Sequence, residues 1–82
     1  MLPLDRLPLN SAAKIVAIDW AAMSDAEGQR LRALGITDGA GVTAVHRGMF
    51  GFRDPLAVRV GRMMIALRRA HAAAIRVLPE PQ

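Results

Sequence analysis

Hydrophobic positions along this 82-residue chain change their period several times, and each change marks an element. The first nine residues hold Leu2, Leu4, Leu7 and Leu9, interrupted by Pro3 and Pro8. Proline at that spacing forbids a regular helix interior, so an extended or turn-like arm is predicted, its leucines covering one edge of the core. Asn10-Ser11 ends the arm as a turn, because asparagine enters the left-handed region more readily than most non-glycine residues. Lys14 to Asp19 is β-branched and bounded by polar residues, which predicts a first strand. Ile15 and Ala17 share one of its faces and Val16 and Ile18 the other, the pattern of a strand buried on both sides.

The next segment is helical. Ser24 with Glu27 three residues on forms a capping box, in which each side chain meets the other residue's backbone N–H. Asp25 and Glu27 add negative charge at the positive end of the helix dipole. Leu31 and Leu34 share a face while Gln29, Arg30 and Arg32 face water. Gly35 stands where a left-handed residue ends the helix, and Ile36 can fold back onto Leu31. Thr37-Asp38-Gly39 then turns the chain.

From Val42 the period falls to two, with Val42, Ala44 and His46 alternating against Thr43, Val45 and Arg47 in a second strand. Gly48 to Pro55, with two glycines and an Asp-Pro pair, reads as a loop. Leu56, Val58 and Val60 mark a third strand, Gly61-Arg62 a tight turn, and Met63, Ile65 and Leu67 a fourth. Arg69 to Ala74 fits one helical turn, Ile75 to Leu78 a closing strand, and Pro79 to Gln82 a frayed tail. Strands so short leave too many open edges unless they close on themselves. The expectation is therefore a mostly β, single SH3-like barrel over residues 1–82, its core at about 4–78. It has about five strands, with one α-helix between the first and second.

Composition narrows the function. Hydrophobic residues make up 52% of the chain but aromatics only 4%, so Leu, Ile, Val and Met must build a thin core. The absence of cysteine removes disulfides, thiolate metal sites and cysteine nucleophiles. No signal peptide or run of about 20 apolar residues is seen, so a soluble cytoplasmic protein is expected. The formal charge is +4 from 11 basic and 7 acidic side chains. These bases are scattered from Arg6 to Arg76, with Arg59, Arg62, Arg68 and Arg69 the densest group. A nucleic-acid footprint is normally a denser stripe with aromatics for stacking. A small nucleic-acid-binding barrel using those four arginines is the alternative reading. An acidic protein surface, or the anionic face of a membrane, accounts for the charge equally well.

Chemistry finds little purchase. The phosphate-loop signature is absent, and Lys14, the one lysine, follows no glycine-rich loop. His46 and His71 fall on different elements without metal-ligand spacing. Met63 and Met64 point to opposite faces of a strand, Met63 into the core and Met64 half-exposed. Ser11 and Ser24 are the only serines, and Ser24 is a cap. Asp19 beside Trp20 reads as a strand-end turn. No catalytic, cofactor or metal residue is nominated, and no enzyme is expected. What remains is apolar character on loops, at Trp20–Met23 and at Met49, Phe50 and Phe52, which suits protein interfaces. Trp20, Met23, Leu31, Leu34, Met49, Phe50 and Phe52 are the candidate partner-binding residues.

The order of landmarks resembles a known family. They are Leu7 before the Asn10 turn, Lys14-Ile-Val-Ala-Ile, Arg30-Leu31-Arg32-Ala33-Leu34-Gly35-Ile36 with Gly39, Val42 to Val45, Asp54-Pro55-Leu56-Ala57-Val58-Arg59, Ile65-Ala66-Leu67-Arg68 and Ala73 to Val77. Over residues 4 to 78 the chain is similar to the FeoA family of bacterial ferrous iron transport proteins. That resemblance implies an SH3-like barrel, a cytoplasmic site and support of the ferrous permease FeoB, which carries a cytoplasmic GTPase domain. It thereby implies peripheral membrane association through the partner, with homo-oligomerisation left open and no small-molecule substrate. The same fold ends iron-dependent repressors, but no helix-turn-helix precedes this barrel and that role is not carried over. The chain departs from the family at Asn10, where glycine is usual, and in its apolar Trp20–Met23 and Met49–Phe52 segments.

Overall fold

Alternation becomes pairing in the computed structural model, which describes residues 1–48 and 54–80. Six antiparallel strands run in the order β1-β6-β2-β3-β4-β5: β1 Leu2–Pro3, β2 Ala12–Ile18, β3 Gly41–Arg47, β4 Leu56–Val60, β5 Met63–Leu67 and β6 Ile75–Pro79. Helix α1 spans Asp25–Ala33 and α2 spans Arg69–Ala73, with single 3-10 turns at Leu4–Arg6 and Trp20–Ala22.

This corrects the expected architecture in two respects. The arm is itself a strand, because Leu2 pairs with Val77 and Pro3 with Arg76. An edge strand tolerates proline, whose missing N–H is not needed by a further neighbour. The helix consequently lies between β2 and β3 rather than between the first two strands. Secondly, no pairing joins β1 to β5 among the described residues, so the sheet curls without closing as a barrel. Its interior is filled instead by α1 and the arm, since Leu31, Leu4 and Leu7 are all fully buried with Ile15, Leu56 and Leu67.

Helix α1 forms as its sequence dictates at one end and only half so at the other. Gly35 has φ +94°, Gly35 N–H donates to Arg32 C=O at 3.1 Å, and Ile36 N–H donates to Leu31 C=O at 2.9 Å. These are the two bonds of a Schellman stop, with Ile36 folded into the core. At the start, Ser24 Oγ accepts from Glu27 N–H at 3.1 Å. The Glu27 carboxylate, however, turns to Arg30 and His71 instead of returning to the cap.

Strand parity holds until a bulge resets it. Between Ile15 and Ala17 the pairing of β2 with β6 skips a residue, and between Ala44 and His46 the pairing of β3 with β4 does the same. Two residues then oppose one, and the face of each later side chain is exchanged. Hence Ala17, expected beside Ile15, is exposed, and Val16 and Ile18 are half-buried. The expectation of a strand buried on both faces fails, since Lys14 also faces water. In β4 and β5 the register is unbroken and Leu56, Val58, Val60, Ile65 and Leu67 are buried as predicted. Met63 is a correction: it shares their face but remains 45% exposed, beside the hairpin turn where the interior ends.

Asn10 does adopt a positive φ of 64°, and its N–H donates to Ala44 C=O. The predicted loop core at Met49 to Arg53 and the end of the predicted tail at Pro81 and Gln82 lie outside the described residues.

Candidate partner-binding surface

Trp20 is placed by a backbone turn. Asp19 N–H donates to Ala74 C=O at 2.9 Å, which closes the end of β2 against β6 and throws the chain outward into the Trp20–Ala22 turn. The indole then lies against α1 at Gly28, where a β-carbon would stand 3.5 Å from the ring. Above it the Arg32 guanidinium sits 4.2 Å from the ring centroid, a cation–π contact. Trp20, Met23 and Leu34 are each half-buried and pack on the core from outside. Leu31 is fully buried and belongs to the core, so its effect on any partner passes through the helix it seats. Met49, Phe50 and Phe52 lie outside the described residues. Of the seven predicted residues, Trp20, Met23 and Leu34 are thus half-buried against the core, and Trp20 lies on the Gly28 and Arg32 side of α1.

A second feature escaped the sequence reading. An open groove of about 700 Å³ runs between α1, α2 and β5, lined by Glu27, Arg30, Asp54, Ala66, Arg68 and His71 among others. Arg30 grips Glu27 with two bonds, Nε to Oε1 at 2.7 Å and Nη2 to Oε2 at 3.0 Å. The same Nη2 lies 3.5 Å from Ala66 C=O on β5. His71 Nδ1 approaches Glu27 Oε2 to 3.0 Å without the alignment of a hydrogen bond, an ion pair only when the imidazole is protonated. The Arg30 hydrogen bonds hold the Glu27 carboxyl below its ordinary pKa against the opposing effect of burial, with help from the Arg30 and His71 charges. Arg30 is raised in return by its bond to Glu27. Asp54 Oδ1 accepts Arg69 N–H at 2.9 Å, capping α2 across 15 residues of chain.

The i, i+3 spacing of Glu27 and Arg30 was the one signal of this groove in the sequence. His71 stands 44 positions from Glu27 and gave none. The groove thus sets the paired Glu27 and Arg30 and the side chain of Arg68, unpaired among the described residues, beside β5. Among the described residues no three His, Asp or Glu side chains gather as metal ligands. No helix of the described chain is long and apolar enough to cross a membrane. Of the four arginines of the nucleic-acid reading, Arg59 on β4, Arg62 in the hairpin turn and Arg68 just past β5 border that strand, while Arg69 of α2 faces Asp5 at 3.8 Å.

The family model for the FeoA domain matches residues 2–79. Among solved structures, FeoA of Stenotrophomonas maltophilia, described as a procaryotic SH3 domain protein and complexed with zinc, is 35% identical. The alignment covers 94% of this chain and 89% of that one at a TM-score of 0.77. FeoA of Chlorobium tepidum is 28% identical over 93% of this chain and 68% of its own, at a TM-score of 0.79. IdeR of T. acidophilum shares the fold at 22% identity and a TM-score of 0.78, matched over 34% of its length. No curated protein matches.

Proposed function

Because the chain belongs to the FeoA family, we propose that it is a cytoplasmic accessory protein of bacterial ferrous iron uptake that docks on the cytoplasmic part of the FeoB permease. Membership implies involvement in ferrous iron transport, and a relative is described as iron(II) transport protein A. The observation that carries the reading is the FeoA match across residues 2–79. Peripheral membrane location follows from the partner.

Trp20 supplies an apolar ring beside the cationic Arg32, with Met23 and Leu34 also half-buried, and Met49, Phe50 and Phe52 are the second apolar segment of the sequence. Half-buried aromatic and Met side chains with an adjacent arginine are the composition that interface centres favour.

Purified protein mixed with the cytoplasmic part of the permease should form a complex by calorimetry. A deletion strain should take up ferrous iron poorly until the gene is restored. Normal uptake in the deletion strain together with no complex would refute the reading.

A further inference from the structure

We infer that the free edge of β5 receives an extended, acidic segment of the docking partner, added as a further strand beside the α1–α2 groove. This rests on the docking reading above and specifies how the partner is held.

The hairpin decides which backbone groups are free. Its two-residue turn makes Val60 and Met63 the closing hydrogen-bonded pair, and the register then pairs Val58 with Ile65 and Leu56 with Leu67 in the same way. Met64 and Ala66 alternate with these, so their N–H and C=O groups point away from β4. β5 ends the sheet, and no strand lies beyond it among the described residues. Arg30 Nη2 donates to Ala66 C=O over a long 3.5 Å, which fixes the outward direction of that carbonyl and leaves a weak bond that an incoming strand would replace. Unpaired N–H and C=O groups on an edge are a template for another strand.

The surroundings state what that strand carries. Met64 is 53% exposed and Met63 45%, so two large apolar side chains stand at the edge. Arg59 lies directly across from Met64 on the same face, Arg62 occupies the turn and Arg68 lines the groove. None of these three arginines forms an ion pair among the described residues, whereas Arg30 and Arg69 do. An incoming segment with apolar residues at alternate positions and carboxylates at its ends matches this frame.

A second copy of the chain matches it poorly. Two β5 strands pairing about a two-fold axis at Ile65 would set Arg62 of each opposite Arg68 of the other, and like charges directly opposite destabilise a sheet.

Amide hydrogen exchange on the full chain, alone and with the purified cytoplasmic part of the permease, tests the inference. Met64 and Ala66 amides should exchange freely alone and slow by about tenfold or more in the complex, while Ile65 and Leu67 stay protected throughout. Met64→Pro removes one outward N–H without touching the β4 ladder and should weaken binding about tenfold with little change in melting temperature. Arg59→Glu with Arg62→Glu should weaken it further and flatten its salt dependence. Complex formation with Met64 and Ala66 still exchanging freely would overturn the inference and leave the docking reading intact. Failure of any complex to form would overturn both. Protection that rises with protein concentration alone would instead assign the edge to a second copy.

Discussion

The two 3-10 turns, Leu4–Arg6 and Trp20–Ala22, are of equal length, yet the one with two charged residues buries its leucine and the wholly apolar one buries no residue fully. Leu4 and Leu7 are entirely buried, whereas Trp20 and Met23 are half-buried against the outside of the same core. The difference lies in the backbone that flanks each turn. The first is tied on both sides: β1 pairs with β6, and the Arg47 guanidinium donates to the carbonyls of both Asp5 and Leu7. Asp5 in addition faces Arg69 of α2. The second is tied only where it leaves β2, by Asp19 N–H to Ala74 C=O, and then rests on α1 through one ring. Apolar composition alone therefore does not separate core from surface. The number of polar ties on the backbone that presents the side chains does.

The sharpest way to break this contrast is to truncate the arm. Leu4→Ala or Leu7→Ala should cost ~2–5 kcal/mol in urea melts, as for fully buried leucines elsewhere. Trp20→Ala, although it removes the larger side chain, should cost less than either. Equal losses would mean the two turns are both core. Next in size is the clamp. Arg47→Met keeps the aliphatic stem but abandons the Asp5 and Leu7 carbonyls, and should cost ~1–3 kcal/mol. Proteolysis should then cut the arm first, with β3 to β5 resisting.

Trp20→Ala sharpens the other side. Loss of the Arg32 contact accounts for ~0.5–1 kcal/mol at an exposed site, and partial burial adds to it. Binding to the permease fragment should fall by much more than stability does. A variant that melts early but binds normally would assign Trp20 to the fold.

How legible these regions were depends on how far apart the deciding residues lie. The Schellman stop could be read at once, because Leu31, Gly35 and Ile36 settle it within six residues. The β4–β5 hairpin was legible for the same reason. The bulges at Val16 and Val45 were not, since a skipped residue is set by the partner strand's register and leaves no mark on the alternation itself. Period alone put Met63 inside, correctly for its face and wrongly for its depth, because depth depends on where the sheet ends. The first strand was missed for a third reason: Pro3 reads as a breaker until β6 is known to need no donor from it. The groove was least legible. Glu27 has three local claims on it, from Ser24, Arg30 and the helix dipole, and only folding shows that the carboxylate goes to Arg30 and to a histidine from α2.

That carboxylate gives the smallest prediction and the one that links the two turns. Glu27 belongs to the helix against which Trp20 rests, and His71 to the helix that faces the arm. The Glu27 pKa is lowered from 4.5, chiefly by the Arg30 hydrogen bonds. In acid the unfolded chain therefore binds this proton before the folded one does, so stability falls as pH drops. The contribution is complete above 4.5 and is lost as pH falls below it through the lower folded value. Arg30 is largely solvated, and a pair of this kind is worth ~0.3–0.5 kcal/mol. Glu27→Gln should accordingly destabilise the protein by that amount at pH 7 and converge with the wild type in strong acid. If the variant also speeds exchange of the Leu7 and Ala72 amides, α1 and α2 are coupled through this contact. If only α1 loosens, the His71 approach contributes nothing across the groove, and the arm and the Trp20 turn are independent.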